Sequence, residues 1–317
     1  MAEIGFVGLG RMGGNMVHRI RRDSEHTVVA YDSDKAAVAR AVQSGAAGAR
    51  SLGDLVKRLE TPRIVWVMLP AGEVTERTVK RLAGLLERGD TIVDGGNSRW
   101  TDDKRRAKEL RAPGIHYVDV GVSGGVWGLE VGYCMMVGGP QGAIGRLAPI
   151  LDVLAPETSA ESRAAIGPRG WLRFGPAGAG HYVKMVHNGV EYGLMQAYGE
   201  GFDLFEQCEY ELDNAKIAHL WNQGSVVRSW LCELAARAFD QDGSDLPELE
   251  GYTEDSGEGR WTIADATAHD VPTPVITAAL YSRLSSRGNG DFTHRVLAAL
   301  RNQFGGHAVR EHHDGAA

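Results

Sequence analysis

The feature that most constrains the fold is a glycine-rich turn near the N-terminus. A short apolar run at residues 4–7 leads directly into Gly8-Leu9-Gly10-Arg11-Met12-Gly13, and an amphipathic stretch follows at once. Glycines at this spacing permit a tight strand-to-helix turn and let backbone N–H groups approach a pyrophosphate. The turn therefore predicts a dinucleotide site that includes Gly8, Gly10, Met12 and Gly13. The alternative is a glycine-rich turn without a ligand.

An acidic residue stands where such a site would contact a ribose. A second apolar run, residues 27–31, ends at Asp32. A carboxylate there accepts hydrogen bonds from the 2′- and 3′-hydroxyls of the adenine ribose and repels a 2′-phosphate. Ser33-Asp34 follows without an arginine, so the cation that usually binds NADP is missing. The sequence predicts NAD rather than NADP; the alternative is that Asp32 caps the next helix.

The first half of the chain alternates short apolar runs with amphipathic stretches. This alternation predicts an α/β fold, a Rossmann-like doubly wound sheet that is mostly parallel. The apolar runs predicted as strands are residues 4–7, 27–31, 64–69, 91–94, 117–120 and 134–137. Helical spacing marks residues 13–22, 35–44, 53–59, 74–86 and 103–110, with Ser51 in a helix-capping position.

The second half changes character after a segment rich in glycine and proline at residues 167–180. We expect a dinucleotide-binding domain at 1–175 and an all-α substrate and oligomerisation domain at 176–317. Residues 181–207 predict one long helix. The polar stretch at 240–260 predicts a loop that reaches a ligand.

Composition narrows the class of partner. The 317-residue chain has a formal charge of −7 and lacks a run rich in lysine or arginine, which argues against nucleic acid or an anionic membrane as the main partner. The three cysteines have no metal-type spacing, so neither a disulfide framework nor a metal site is expected. The N-terminus begins as a strand without a leader-like segment, and we expect a cytoplasmic protein.

The long helix carries a candidate acid–base pair. Lys184, His187, Asn188 and Glu191 fall at i, i+3, i+4 and i+7, so they share one stripe of the helix. A base that removes a hydroxyl proton and an acid that protonates an enolic carbon can bracket one small substrate in this way. The alternative is a solvated polar face with an intrahelical ion pair. A separate stripe is expected to face the core: Val183, Val186, Val190, Leu194 and Ala197.

Across almost its whole length, the chain resembles the decarboxylating 6-phosphogluconate dehydrogenases, within the wider β-hydroxyacid dehydrogenase group. The run Lys184-Met185-Val186-His187-Asn188-Gly189-Val190-Glu191-Tyr192 is the most specific match. The others are the Gly8–Gly13 turn, Met68-Leu69-Pro70-Ala71-Gly72, Asp94-Gly95-Gly96-Asn97-Ser98, Val122-Ser123-Gly124-Gly125 and Arg301-Asn302-Gln303-Phe304-Gly305-Gly306-His307.

The resemblance implies roles for these residues in the oxidation and decarboxylation of 6-phosphogluconate to ribulose 5-phosphate. It implies that Lys184 takes the 3-hydroxyl proton during hydride transfer and that Glu191 protonates the enediol, with Asn188 beside them and no metal. Leu69 and Pro70 belong to the cofactor site, and Asn97 lies between nicotinamide and substrate. The residues implied to hold the sugar acid are Asn97, Ser123, Gly124, Gly125, His187, Asn188, Tyr192 and Arg283.

The resemblance also implies a homodimer or homotetramer. In this family the tail of one subunit completes the partner's site, and here Arg301 and His307 would contact the phosphate. Two departures concern the same end of the substrate: Ser256 stands where long members carry a lysine, and the family's phosphate-binding arginine appears shifted near Arg283, so that Arg283 or Arg287 compensates.

Two other functions remain open at this point. A dehydrogenase of a smaller 3-hydroxyacid, such as 3-hydroxyisobutyrate, would use Ser123, Lys184 and Asn188 without needing Glu191 or the tail. A non-catalytic NAD-binding regulator would need only the glycine turn and Asp32.

Overall fold

The computed structural model describes residues 1–288 and 291–305. The chain divides into two compact units, Met1–His187 and Asn188–Ala317. The first is a Rossmann-like α/β unit and the described part of the second is helical, which confirms the predicted fold class. The predicted domain boundary at residue 175 stays a prediction.

The first unit is built on one eight-stranded sheet in the order β3-β2-β1-β4-β5-β6-β7-β8. Neighbouring strands are parallel except β6 and β7, which are antiparallel with Ser123 opposite Cys134. The strands are β1 Glu3–Val7, β2 Thr27–Tyr31, β3 Ala47–Gly48, β4 Ile64–Val67, β5 Thr91–Asp94, β6 His116–Ser123, β7 Cys134–Gly138 and β8 Trp171–Gly175. The order reverses at β1, next to β4, which is where ligands bind in open α/β sheets.

Helices cover both faces of this sheet. They are α1 Arg11–Asp23, α2 Lys35–Gln43, α3 Leu52–Lys57, α4 Glu73–Ala83, α5 Trp100–Leu110, α6 Gly128–Val131, α7 Gln141–Leu154 and α8 Ala160–Ile166, with a 3₁₀ turn at Gly125–Trp127. Ile4 and Phe6 of β1 face one apolar cluster and Val7 faces the other, as the alternation of side chains along a strand requires. The predicted cap at Ser51 is confirmed, since its hydroxyl accepts the Asp54 N–H at 3.1 Å.

Two strands were not predicted, and each lacks the apolar pattern on which prediction depends. Strand β3 has only two residues, neither of them bulky. Strand β8 lies inside the glycine- and proline-rich segment, and Leu172 and Phe174 on it are exposed. A strand at the edge of a sheet can form through backbone hydrogen bonds to its neighbour with little side-chain burial.

The second unit is an array of helices with small apolar clusters. Helix α9, Ala179–Glu206, begins in the first unit and continues through the division; it is followed by α10 Asn214–Trp221, α11 Trp230–Asp242, α12 Glu258–Ala268, α13 Pro274–Ser285 and α14 Asp291–Gly305. One cluster centres on Phe202 and Phe239, and another on Tyr192 and Leu280. Within the described residues, no helix combines the length and apolar content that crossing a bilayer requires.

The predicted orientation of α9 is wrong. Val186, Val190 and Leu194 of the expected core stripe are exposed, whereas Lys184 and Asn188 of the polar stripe are buried. The reason at Lys184 is a glycine of the adjacent strand, Gly121 in β6, which lets the polar stripe approach the sheet closely. An apolar stripe ordinarily marks the buried face of a helix, so the exposure of this stripe is unusual.

Candidate active site

The glycine turn has the geometry that the sequence predicts for a dinucleotide site. Gly8 has a φ of +94°, and a Cβ there would lie 2.3 Å from the Met68 carbonyl oxygen; a Cβ at Gly13 would lie 2.0 Å from the Gly8 carbonyl oxygen. These two glycines are required by packing within the turn. A Cβ at Gly10 would meet no atom within 4 Å, so this glycine leaves open space beside the N-terminus of α1, where a pyrophosphate binds favourably.

Asp32 is held in place by the same turn. Its carboxylate accepts the Leu9 N–H at 2.6 Å and the Asp34 N–H at 2.8 Å. The cap of α2 is Asp34, which accepts the Ala36 N–H at 2.8 Å. The alternative in which Asp32 caps that helix is therefore excluded, and Asp32 remains available to a ribose.

A cavity of about 390 Å³ opens beside Asp32. Gly8 and Leu69, two of the predicted cofactor-site residues, also line it. The wall opposite the glycine turn comes from α4 and includes Arg77 and Arg81, which the sequence analysis did not single out. Met12 is half-buried against the core of the first unit, and Pro70 is exposed.

A buried carboxylate shapes the loop that carries Asn97. Asp94 accepts the Gly96 N–H at 3.1 Å and the Ser98 hydroxyl at 2.7 Å, and Arg106 donates to it at 2.9 Å. Asn97 is exposed between these two fixed neighbours. The loop therefore presents its amide from a rigid frame.

Lys184 lies in a short polar chain within the first unit. Its Nζ is 3.5 Å from Nδ1 of His187, and Nε2 of His187 is 3.4 Å from the hydroxyl oxygen of Ser123. Lys184 is only 7% exposed, which excludes the alternative of a solvated polar face. The close approach depends on Gly121 in β6, where a Cβ would lie 2.3 Å from Cβ of Lys184.

The turn after Ser123 consists of two glycines in backbone conformations that other residues rarely adopt. Gly124 has a φ of +125° and Gly125 a φ of +54°. Such a run leaves N–H groups without an adjoining side chain. Cys134 lies opposite Ser123 on β7; burial raises the pKa of its thiol, and the charge of Lys184 opposes that rise.

A buried network anchors the N-terminal part of α9. Asp119 accepts the N–H groups of Gly178 and His181 at 2.7 and 2.8 Å. Nδ1 of His181 lies 2.7 Å from Asp103, which also accepts the Tyr117 hydroxyl at 2.8 Å. Burial alone would lower the pKa of His181, but the Asp103 carboxylate outweighs it and raises that pKa to about 10. The protonated His181 and its carboxylates therefore fix the helix one turn before Lys184.

Sequence reasoning missed this network, although all its members are polar and fully buried. Asp103, Asp119 and His181 come from three different elements, and His181 lies more than 60 residues after Asp119, so no local spacing links the three. The available signal was His181, a histidine one turn before the candidate base. A histidine at that position does not predict a buried network until its partners are known.

In the second unit, Tyr192 joins α9 to the loop before α12. Its hydroxyl lies 3.2 Å from the Ser256 hydroxyl and 3.3 Å from the Asp255 carboxylate. A Cβ at Gly259 would lie 2.6 Å from the Tyr192 ring, so this glycine makes the approach of α12 possible. The loop predicted at 240–260 is present between the end of α11 and the start of α12, and it contacts a candidate substrate residue.

Arg283, rather than Arg287, lies beside Tyr192. Its guanidinium carbon is 3.5 Å from the centre of the Tyr192 ring, and it donates to the Glu254 carbonyl at 2.9 Å. The Arg287 guanidinium instead lies 5.8 Å from the Tyr252 ring. The structure therefore brings Arg283, Tyr192 and Ser256 together.

The same corner also carries negative charge. Burial alone would raise the pKa of Asp255, but hydrogen bonds from Arg260 and the Gly257 N–H outweigh it and hold that pKa below its ordinary value. Glu258, in the first turn of α12, is 2% exposed, and neither of its carboxylate oxygens has a hydrogen-bond partner in the described part of the chain. The cations Arg260 and Arg283 thus share this corner with two acids.

The structure describes some of the remaining candidate residues and not others. Asn188 is buried and Glu191 half-buried on α9. Arg301 belongs to α14, but its side chain lies outside what the structure describes, as does all of His307. The predicted contribution of the tail therefore stays a prediction.

Comparison with known proteins agrees with these observations. The family model described as the NAD binding domain of 6-phosphogluconate dehydrogenase matches residues 3–162, and the model of the 6-phosphogluconate dehydrogenase C-terminal domain matches residues 180–314. Together they account for most of the chain.

Individual relatives carry matching names. A protein of Haloferax volcanii named NAD(+)-dependent, decarboxylating 6-phosphogluconate dehydrogenase is 44% identical over 98% of this chain and 100% of its own length. A Bacillus subtilis protein of the same name is 35% identical over 90% of this chain and 61% of its own length. The solved Plasmodium falciparum 6-phosphogluconate dehydrogenase superposes with a TM-score of 0.80 at 26% identity, over 99% of this chain and 67% of that one.

Proposed function

Because the chain belongs to the 6-phosphogluconate dehydrogenase family, we propose that it oxidises 6-phosphogluconate with NAD and releases carbon dioxide, giving ribulose 5-phosphate and NADH. The observation that carries the proposal is the polar chain of Lys184, His187 and Ser123 on the first unit, in which Lys184 is buried. This chain supports the proposal because an amine and two hydrogen-bonding groups lie close enough together to bind and deprotonate one hydroxyl of a sugar acid.

The cofactor site fits NAD. NAD, when bound, accepts the hydride from the substrate carbon. The open space at Gly10 admits a pyrophosphate, and the fixed carboxylate of Asp32 suits a ribose that carries free 2′- and 3′-hydroxyls. Asn97 extends from a rigid loop toward the reacting end.

The proposed chemistry needs one base and one acid from this chain. Lys184 removes the proton of the 3-hydroxyl as the hydride leaves the same carbon, which yields a β-keto acid. That acid loses carbon dioxide, and the proton held by Lys184 returns to the 3-oxygen to give an enediol. Glu191 then delivers a proton to the carbon that lost carbon dioxide while Lys184 takes the hydroxyl proton back, which gives the ketose. Ser123, Gly124, Gly125, His187 and Asn188 hold and orient the sugar acid, so proximity supplies part of the rate.

We assign the phosphate end of the substrate to Tyr192, Ser256 and Arg283, with Arg301 and His307 supplied by a neighbouring copy. Arg283 already stacks on Tyr192, and its planar fork suits a phosphate. A site completed by a neighbour requires a homo-oligomer. The exposed apolar stripe of α9, Val186, Val190 and Leu194, supports an assembly that covers it.

A steady-state assay of 6-phosphogluconate with NAD, with identification of the products, tests this function. We expect one carbon dioxide and one ribulose 5-phosphate for each NADH. Reduction of NAD without release of carbon dioxide, or a preference for an unphosphorylated acid such as 3-hydroxyisobutyrate, contradicts the proposal and favours the smaller-substrate alternative. Binding of NAD without any turnover favours the regulator.

A further inference from the structure

Two arginines of α4 face the cavity that contains Asp32. Val74, Arg77, Thr78 and Arg81 fall at i, i+3, i+4 and i+7 and form one wall of the cavity. Asp32 and Ser33 line the same cavity. The sequence shows no cation directly after Asp32, yet the fold brings two cations to its pocket from a helix more than 40 residues away.

The charges in this cavity are unbalanced. Arg77 lies 3.2 Å from Glu73 on its own helix, in an exposed pair that holds it weakly. Arg81 has no hydrogen bond or ion pair within the described part of the chain. The carboxylate of Asp32 is turned to the backbone N–H groups of Leu9 and Asp34. The cavity therefore presents two guanidinium groups against one carboxylate.

A phosphate ester on the 2′-oxygen of the ribose is the group that such a pair of cations fits. It carries up to two negative charges, and guanidinium groups bind phosphate through paired, charge-assisted hydrogen bonds. Asp32 opposes that group by charge repulsion and by its hydrogen bonds to a free ribose.

We propose, building on the NAD-dependent function above, that Arg77 and Arg81 form a latent 2′-phosphate site and that Asp32 alone keeps NADP out. Selectivity for NAD then depends on one negative charge, because the cations that NADP needs are already present. Removal of that charge, without any added arginine, converts the pocket to NADP binding.

Titration calorimetry of NAD and NADP against the full-length protein tests this without any sugar acid. We compare wild type, Asp32→Asn, Asp32→Ala and Asp32→Asn/Arg77→Ala/Arg81→Ala. We expect each Asp32 single variant to raise the ratio of NADP to NAD affinity by about 100-fold. Charge-assisted hydrogen bonds of about 1.5–3 kcal/mol correspond to about 10- to 100-fold each, so loss of both arginines reverses most of the gain.

Lys80→Ala in the Asp32→Asn background is the matched control. Lys80 is a cation of the same helix that lies outside the cavity and pairs with Glu76 at 3.2 Å. We expect it to leave the affinity ratio unchanged. Asp32→Asn keeps the size of the side chain, and NAD binding by each variant reports that it is folded.

Two outcomes overturn the inference: an affinity ratio that the Asp32 variants do not change, or an arginine loss that weakens NAD as much as NADP. The second outcome would place Arg77 and Arg81 on the part of the dinucleotide that both cofactors share. Failure of the wild type to bind either dinucleotide would instead contradict the proposed function itself.

Discussion

The two units of this chain treat polar and apolar side chains in opposite ways. The first unit buries a charged network, Asp94, Asp103, Arg106, Asp119 and His181, inside a large apolar core. The second has small apolar clusters and leaves many large apolar side chains exposed, among them Leu204, Leu220, Trp230, Val275 and Tyr281. The charged groups buried in the first unit pair with one another, whereas the second unit exposes apolar surface of the kind that another chain covers.

The largest expected effects are on turnover, at the candidate base Lys184 and the candidate acid Glu191. Lys184 belongs to the first unit and Glu191 to the second. We expect Lys184→Met to lower kcat by about 10²–10⁴, the range typical of an acid–base group, and Glu191→Gln to lower it within the same range. Steady-state kinetics with 6-phosphogluconate and NAD measure both. Glu200→Gln, an exposed change on the same helix, is the control, and an equal loss there would contradict the assignment.

The buried network of the first unit predicts a large loss of stability. Asp103→Ala removes the carboxylate that contacts Nδ1 of His181 at 2.7 Å and lies 3.9 Å from Arg106, and breaking a buried charged network in this way costs about 3–5 kcal/mol. Urea unfolding of the full chain measures the free energy. Asp102→Ala removes the neighbouring carboxylate, which is partly exposed and lies 3.6 Å from Arg105, and we expect a change within about 0.5 kcal/mol. Similar losses for both variants would remove the special role of the network.

The exposed apolar surface of the second unit is tested by measuring assembly. Val190 on α9 and Val42 on α2 are each 48% exposed, so a charge at either site has similar solvent access in a single chain. We expect Val190→Glu to raise the dissociation constant of the proposed homo-oligomer by more than about tenfold, which is about 1.4 kcal/mol, and Val42→Glu to leave it unchanged. Sedimentation velocity over a concentration series distinguishes the two. Intact assembly of the Val190 variant would show that this stripe is not an interface.

The buried His181 also predicts a dependence of stability on pH. The pKa of His181 is raised from 6.5 to about 10, so its contribution is fully present below pH 6.5 and is lost as the pH rises toward 10. We expect the free energy of unfolding to fall across this window by up to about 1.4 kcal/mol for each pH unit. Burial raises the pKa of Asp119 to about 6, so its own titration is complete near the lower end of the window. Urea unfolding of wild type and His181→Gln measures the slope, which should be flatter in the variant; equal slopes would assign the effect to another group.

Local patterns in the sequence predict much of the fold. Strands β2 and β5 and the cap at Ser51 match their predictions, because strand alternation and capping depend on neighbouring residues alone. Strand β8 was missed because its pattern is masked by glycine and its side chains are poorly buried. The family and the fold class are confirmed, since they depend on motifs that span the whole chain.

The failures of prediction concern residues whose role depends on distant partners. Nothing near Val190 in the sequence shows that it is exposed, because an apolar stripe on a helix looks the same whether it faces a core or another subunit. Likewise, His181 acquires its role from Asp103 and Asp119, and Arg77 and Arg81 acquire theirs from a glycine turn more than 60 residues earlier. Such relations require the tertiary fold.

Helix α9 runs without a break from the first unit into the second, and this continuity fixes the axial distance between residues along it. Seven residues of α-helix separate Lys184 from Glu191, so their backbones stand about 10 Å apart along the axis. That interval is set by the hydrogen-bonded backbone and not by the packing of either unit. A change elsewhere in the protein can therefore alter how tightly a ligand is held, while the backbone spacing between the two proposed proton-transfer residues stays constant.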